Sequence, residues 1–154
     1  SYTGSLDRST WIDSGTYPLP YATKYDGTNS TLFIHESGKD DDGSTMTSFI
    51  ESGDFDIGDG DDMMFIVRMI PDFKGQVGNV NISLKSRYFP TDSQTTKGPF
   101  RYSTSSTKIN TRTRGRQVAV RLESNGFNDI NNDATGEDWR LGTIRFEVQP
   151  DGKR

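Results

Sequence analysis

The sequence contains no cysteine and a single histidine, and this scarcity excludes several kinds of site. Without cysteine there is no disulfide, no thiol nucleophile and no cysteine-ligated zinc. A hydrolytic triad would need the lone histidine, His35, beside a nucleophile and an orienting acid, and no Gly-x-Ser-x-Gly turn supplies that nucleophile. His35 is therefore expected to serve packing or the surface, and the chain is not expected to be an enzyme.

Apolar residues are also scarce, at 30% of the chain, and the mean hydropathy is −0.77. No apolar run approaches the roughly 20 residues of a transmembrane helix, and no N-terminal signal segment is recognisable, so membrane insertion is not expected. Because the first residue is serine, we expect a processed chain or a fragment of a longer protein. The apolar residues that are present cluster in periodic runs, which argues against disorder.

Alternation of apolar and polar residues recurs along the chain and predicts strands. Residues 117–123 and 143–149 both alternate in this way and are predicted to be two strands of one sheet. Residues 63–70 are apolar on both faces apart from Arg68, which is typical of a central strand. Further strands are predicted over 31–37, over 46–50 with an extension towards Ile57, and through 80–87, and a weaker hairpin is predicted over 100–114.

The gaps between these segments almost all contain glycine, aspartate, asparagine or serine, and no segment has an apolar stripe of helical spacing. The pattern predicts an all-β fold, an antiparallel β-sandwich of jelly-roll-like type. Residues 1–30 are rich in serine, threonine, glycine, tyrosine and proline, which favours an extended N-terminal arm or a linker. The predicted division is an arm over 1–30 and a sandwich over 31–154.

Charge is unevenly distributed, although the net charge is only −4. Residues 36–62 hold ten acidic side chains and one lysine, whereas residues 97–121 hold seven basic side chains and no acid. Two such surfaces can meet head to tail between copies and close into a ring, or both can be solvated loops and edges. The candidate interface residues are Arg112, Arg114, Arg116, Arg121, Asp54, Asp56, Asp59 and Asp61, together with Trp11 and Trp139.

Three arginines, Arg112, Arg114 and Arg116, share a parity that continues into Val118. In one continuous strand they would point to the core side at the rim, whereas a bulge at Gly115 would turn them outward. An outward row can contact phosphate or an acidic neighbour. Because the chain is acidic overall, contact with DNA is expected to be non-specific at most.

Two acidic loops suggest calcium, which prefers several carboxylate and carbonyl oxygens. Residues 54–62 fail the EF-hand spacing. Residues 129–138 come closer, but alanine and arginine stand where that loop needs glycine and a bidentate glutamate. The alternative is a plain polar loop without a cofactor. The candidate calcium ligands are Asp129, Asn131, Asp133 and Glu137.

The last third of the chain contains two segments with a specific sequence pattern. The segments GRQVAVRLES (115–124) and WRLGTIRFEVQPDGKR (139–154) are similar to the C-terminal domain of tail virion proteins of short-tailed phages, of the tail-hub, nozzle or DNA-stabilisation type. The loop over 125–137 is longer than is usual in that family. The resemblance implies a virion protein that forms a ring with copies of itself around the tail channel and contacts neighbouring tail or adaptor proteins.

Two other functions are open at this point. Aromatic residues such as Trp11, Tyr88, Phe89 and Tyr102 could line a sugar groove, so the alternative is a carbohydrate- or receptor-binding β-sandwich module, with structural calcium as an option. A glycoside-degrading enzyme would need two carboxylates facing each other across a cleft. So acidic a chain always offers such pairs, and their presence decides nothing.

Overall fold

The computed structural model describes residues 8–39, 46–124 and 136–153. Within these ranges the regular structure is β-strand apart from one 3-10 turn at Gly58–Gly60, and every strand pair is antiparallel. In the same ranges no helix has the length and apolar character needed to span a bilayer. The chain divides into two compact units, Ser1–Gly38 and Lys39–Arg154.

The first unit contains a three-stranded sheet in the order β1-β2-β3, formed by Thr10–Ile12, Tyr21–Tyr25 and Ser30–Ile34. A tight turn joins β2 to β3. The Asp26 carboxylate accepts the backbone N–H groups of Asn29 at 2.7 Å and Thr28 at 2.9 Å. Both bonds lower the pKa of Asp26, the bond from Asn29 more than the bond from Thr28, because they favour the charged carboxylate.

The division along the chain differs from the one predicted from the sequence. The described part of residues 1–30 forms strands, and the boundary falls after Gly38 instead of near residue 30. The strand expected over 31–37 pairs with β2 and does not join the sandwich. The local cause is the tight turn in which the Asp26 N–H donates to the Asn29 carbonyl, with Gly27 as its first central residue at φ 98°, a conformation that glycine adopts readily.

The second unit is a sandwich of two antiparallel sheets. The three-stranded sheet has the order β10-β5-β8 and the four-stranded sheet the order β4-β9-β6-β7. The strands are β4 (Phe49–Glu51), β5 (Asp62–Val77), β6 (Val80–Arg87), β7 (Thr95–Tyr102), β8 (Ile109–Gly115), β9 (Gln117–Ser124) and β10 (Asp138–Lys153).

One apolar core lies between these two sheets. Met64, Ile66 and Met69 enter it from β5 and are fully buried. Phe55 and Phe146 lie on opposite sheets with ring centroids 5.2 Å apart. The other buried core residues are Val80, Ile82, Leu84, Tyr102, Ile109, Val118, Val120 and Leu122.

The all-β antiparallel class and the sandwich are confirmed, while the jelly-roll-like arrangement stays a prediction. The apolar run over 63–70 is part of β5, the central strand of its sheet, as predicted. Bulges between Ile66 and Arg68 on the β8 side and between Glu147 and Val148 on the β10 side adjust the pairing of this strand.

Two predictions of strand pairing are wrong. Strands β9 and β10, expected in one sheet, lie in opposite sheets of the sandwich. The hairpin expected over 100–114 does not form, because β7 pairs with β6 and β8 pairs with β5. Alternation with a period of two shows which face of a strand is buried but carries no information about its partner.

Candidate binding cleft at one end of the sandwich

The chain crosses from one sheet to the other at a corner formed by residues 115–117. Gly115 lies opposite Met64 at the end of β8, and Gln117 lies opposite Arg87 at the start of β9. The Arg116 N–H donates to the Arg87 carbonyl at 3.0 Å. The last residues of β6 and β8 therefore meet the first residues of β5 and β9 at one end of the sandwich.

Arg87 holds this end together through three separate hydrogen bonds. Its Nε donates to Gln117 Oε1 at 3.0 Å and its Nη1 to the Pro90 carbonyl at 2.7 Å, while Nη2 forms an ion pair with Asp54. The guanidinium thus ties the β6–β7 loop, β9 and the segment before β5 to one another. Such a fork of fixed donors is a geometry that lysine does not reproduce.

The loop over residues 88–94 is further fixed by a turn. Asp92 Oδ2 accepts the Phe89 N–H at 2.9 Å, and the Asp92 N–H donates to the Phe89 carbonyl at 2.9 Å. Gln94 Nε2 donates to Asp54 Oδ1 at 3.3 Å. The loop is therefore attached at both its middle and its end.

Between this loop and β8 lies a cleft of about 340 Å³. A neighbouring cavity of about 100 Å³ is lined by Met63 and Asp151 and shares Tyr88 and Arg114 with the cleft. Since the same two side chains line both spaces, they form the boundary between them. The residues lining the cleft are Ser86, Arg87, Tyr88, Asp92, Ser93, Thr95 and Arg114.

The predicted arginine row is split by the corner. Arg112 and Arg114 point outward from β8, where buried and exposed residues alternate strictly. Arg116 lies beyond the end of the strand, where its Nη2 donates to the Asp61 carbonyl at 3.2 Å and its guanidinium lies 5.5 Å from the Phe89 ring centroid. Outward orientation, one of the two alternatives, is therefore observed, with the strand ending at Gly115.

The acidic and basic segments meet inside the subunit. Strand β4 pairs with β9 and places Glu51 opposite Arg121. Glu51 accepts from Lys85 at 2.6 Å and from Arg121 at 2.9 Å, and Arg121 also donates to Glu123 at 2.9 Å. The hydrogen bond from Lys85, followed by that from Arg121, lowers the pKa of the Glu51 carboxyl.

Other candidate interface residues divide into paired and exposed groups. Asp54 pairs with Arg87, and Arg114 pairs with Asp151. Asp56, Asp59 and Asp61 lie exposed around the 3-10 turn. The charges of this region are therefore partly neutralised within one chain.

The two tryptophans lie in different units. Trp139 is half-buried against the sandwich core and meets Phe73 edge to face at 6.0 Å. Trp11 is 53% exposed, and its ring lies 4.6 Å from that of His35. The His35 N–H donates to the Pro20 carbonyl at 2.8 Å, so this histidine is placed by packing and a backbone bond.

Three of the candidate calcium ligands, Asp129, Asn131 and Asp133, lie outside the described residues. Glu137 is described, and its side chain lies directly over Gly78, where an added Cβ would come within 2.7 Å of Glu137 Cγ. In the part of the chain that the structure describes, no three His, Cys, Asp or Glu side chains are placed to hold a metal ion. Calcium binding stays a prediction.

Within the sandwich, the aromatic residues considered for a sugar groove do not gather in one place. Tyr88 lines the cleft, and Phe89 is exposed beside it. Tyr102 is buried in the core, where its hydroxyl lies 3.4 Å from the Pro71 carbonyl. Burial, and to a smaller extent the Asp72 carboxylate, raises the pKa of this phenol.

The polar cleft residues Ser86, Asp92, Ser93 and Thr95 were not predicted from the sequence, because isolated hydroxyl and acidic residues carry no distinctive sequence signal.

Comparison with known proteins adds no relative. No protein-family model matches the chain, and no curated protein matches its sequence.

Proposed function

We propose that the chain is a structural subunit of a phage tail, of hub or nozzle type, that works by binding copies of itself in a ring and performs no catalysis. The observation that carries this proposal is an uncovered apolar sheet face in the N-terminal unit. The similarity of 115–124 and 139–154 to tail virion proteins supports the tail assignment. Those segments contain all of β9 and all of β10 except its first residue.

The uncovered face follows from the strand register. Ile12, Tyr21 and Ile34 lie opposite one another in one row, and Leu32 lies in the next row opposite Thr23. Ile12 is 50%, Leu32 62% and Ile34 52% exposed. The strand residues on this side are threonine, serine, tyrosine, isoleucine and leucine, without a charge. We call this surface the apolar face.

A second uncovered apolar surface lies at the edge of the four-stranded sheet. Met46, Phe49 and Ile50 are 56%, 50% and 48% exposed, and we call residues 46–50 the edge strip. Strand β4 pairs only with β9 among the described strands, and none of them covers its other edge. Exposed apolar patches and open edges are typical of binding surfaces.

The proposed occupant of the apolar face is the edge strip of a second copy. Both surfaces consist largely of uncharged residues. The Arg121 guanidinium lies over the Phe49 ring at 4.2 Å, but it is already paired with Glu51 and Glu123, so no unpaired charge is buried when the surfaces meet. Because the two surfaces differ, the contact is heterologous, and its repetition closes a ring when the rotation permits. Leu32 and Ile34 are 62% and 52% exposed, so covering either side chain stabilises the contact by roughly half of the 1.5–3 kcal/mol that full burial contributes.

The remaining partners follow from the tail assignment. Neighbouring tail or adaptor proteins would stack on the ring, and DNA in the channel would meet it without sequence specificity. The charge on β8 and β9 supports only non-specific contact, since Arg114 and Arg121 are already paired within the chain.

The proposal is tested by light scattering over a range of protein and salt concentrations. We expect a discrete oligomer that persists in high salt, because apolar burial is not screened by ions. Leu32→Asp should dissociate it, since a carboxylate would be buried without a partner. Thr31→Asp is the matched control, on the next residue and the opposite face. A monomer at every concentration, or equal dissociation by both variants, would contradict the proposal.

A further inference from the structure

The cleft beside Tyr88 contains hydrogen-bonding groups whose donors and acceptors are only partly used by contacts within the fold. The Arg114 side chain is 56% exposed and forms one ion pair, with Asp151. A guanidinium has five N–H donors, so several remain for a ligand. Asp92 accepts one backbone N–H through Oδ2, whereas a carboxylate accepts about four hydrogen bonds. The cleft thus offers a strong donor and a strong acceptor.

Hydroxyl groups and one aromatic ring complete the lining. Ser86, Ser93 and Thr95 each supply a group that can both donate and accept. Tyr88 is 46% exposed, so part of its ring is open to a ligand. Polar groups arranged around an apolar ring are complementary to a ligand that is polar at its edges and apolar on one side.

The charges of the lining select among ligand classes. An anion would bind Arg114 but would be repelled by Asp92 and by Asp151 in the adjoining cavity. A cation would meet Arg87 and Arg114. A neutral polyol avoids both conflicts, because its hydroxyl groups donate to the carboxylate and accept from the guanidinium.

We propose that this cleft binds a neutral saccharide unit, with the sugar hydroxyls held by Asp92 and Arg114 and the C–H face of the ring packed on Tyr88. Its volume of about 340 Å³ falls at the lower end of the roughly 300–1,000 Å³ typical of small-ligand sites. Such a site would let the tail subunit touch a surface glycan.

The cleft is prepared for binding before a ligand arrives. The three hydrogen bonds of Arg87 and the Phe89–Asp92 turn hold the loop that supplies Asp92 and Ser93. A lining that is already ordered loses less conformational entropy on binding. Arg87 is therefore a positioning residue, while Asp92, Arg114 and Tyr88 are the residues that would touch the sugar.

The inference does not depend on ring assembly, because the cleft uses none of the residues of the apolar face or the edge strip. Saturation-transfer NMR and calorimetric titration of the full chain with glucose, galactose and N-acetylglucosamine test it, with inorganic sulfate as the anionic comparison. We expect saturable binding of at least one sugar and transfer to the C–H protons of one ring face. Tyr88→Ala, Asp92→Asn and Arg114→Gln should each weaken binding about tenfold or more.

Arg112→Gln is the matched control, since Arg112 lies two residues away on the same outward side of β8 but does not line the cleft. Sugar affinity should be unchanged in this variant. Thermal melting accompanies every variant, and Arg114→Gln and Tyr88→Ala change exposed side chains, so they keep the test valid should Asp92→Asn fail to fold. The proposal is overturned if no sugar binds, if sulfate binds more tightly than every sugar, or if Arg112→Gln weakens binding as much as Arg114→Gln.

Discussion

Glu51 illustrates how single charged residues act within this subunit. Its carboxylate lies between Lys85 and Arg121, and its side chain is only 30% exposed. With Glu123, which also accepts from Arg121, this is a four-member network. Such a network at a partly buried position contributes more than an isolated surface pair, since the geometry is fixed and water screens it less. The acidic segment of the sequence therefore supplies ion pairs within the subunit as well as exposed charge.

Glu51→Gln should lower the free energy of unfolding by about 1 kcal/mol at pH 7. The network lowers the pKa of Glu51 from its ordinary 4.5. Its contribution is thus complete above pH 4.5 and is lost as pH falls through the lowered folded value. Urea unfolding from pH 7 to pH 3 should show the difference between wild type and variant shrinking in acid. Glu147→Gln, at a more exposed pair with Arg68, should have a smaller effect; a difference independent of pH would contradict this account.

Arg87→Lys should destabilise the chain by about 1–2 kcal/mol, because lysine cannot replace the three directed hydrogen bonds to Gln117, Pro90 and Asp54. Chemical denaturation at neutral pH measures this loss. Arg112→Lys, at an exposed position of β8, should leave stability unchanged within about 0.5 kcal/mol. Equal effects of the two variants would show that the directed bonds are unimportant.

At the scale of secondary-structure elements, the crossing between β8 and β9 organises the cleft. Gly115 ends β8 and is buried, and the next residues enter the opposite sheet. An added Cβ at this position would lie 2.9 Å from Ser86 Cβ and 3.2 Å from the Arg87 carbonyl oxygen. The close approach of two backbone segments, and not an unusual dihedral angle, requires glycine here.

Gly115→Ala should therefore cost about 1–3 kcal/mol, since Ser86 Cβ and the backbone that carries it must move to admit a methyl group. Thermal unfolding provides the measurement. Gly53→Ala is the control, because an added Cβ there meets nothing within 4 Å and no left-handed φ is required. That variant should be neutral or slightly stabilising. A Gly115→Ala protein as stable as wild type would mean that the corner is looser than the structure indicates.

At the scale of the whole molecule, the two units differ in how they are stabilised. The core of the sandwich draws every buried member from residues 64–122, with half-buried side chains from β10 around it. The N-terminal sheet has three short strands and exposes its apolar face. Three strands with one apolar face lie near the minimum for independent stability.

A chain that begins at Lys39 should fold on its own and lose self-association. It keeps the complete sandwich core, so its denaturant unfolding should be cooperative with a midpoint near that of the full chain. Light scattering should report a monomer, because the apolar face has been removed. Unfolding without cooperativity would contradict the prediction of independent folding. Unchanged self-association would contradict the assignment of the apolar face as the contact surface.

The sequence alone determined the class of the fold, because side-chain alternation and turn residues are local signals. The run over 63–70, apolar on both sides, identified the central strand β5, and alternation identified β9 and β10. The sheet to which each strand belongs was not predictable from the sequence, because β4 pairs with β9 and β5 pairs with β8 across long stretches of chain. Such pairing depends on which surfaces pack together, and a period of two does not encode that choice.

The candidate cleft was determined by tertiary structure to an even greater degree. Asp92, Ser93 and Arg114 come from a loop and a strand that are distant in sequence, and only the crossing at Gly115 brings them together. Likewise, composition showed an acidic and a basic segment but not that Glu51 and Arg121 would pair within one chain. Local chemistry thus determined the strands, whereas packing decided which charges were neutralised and which groups were left to bind a partner.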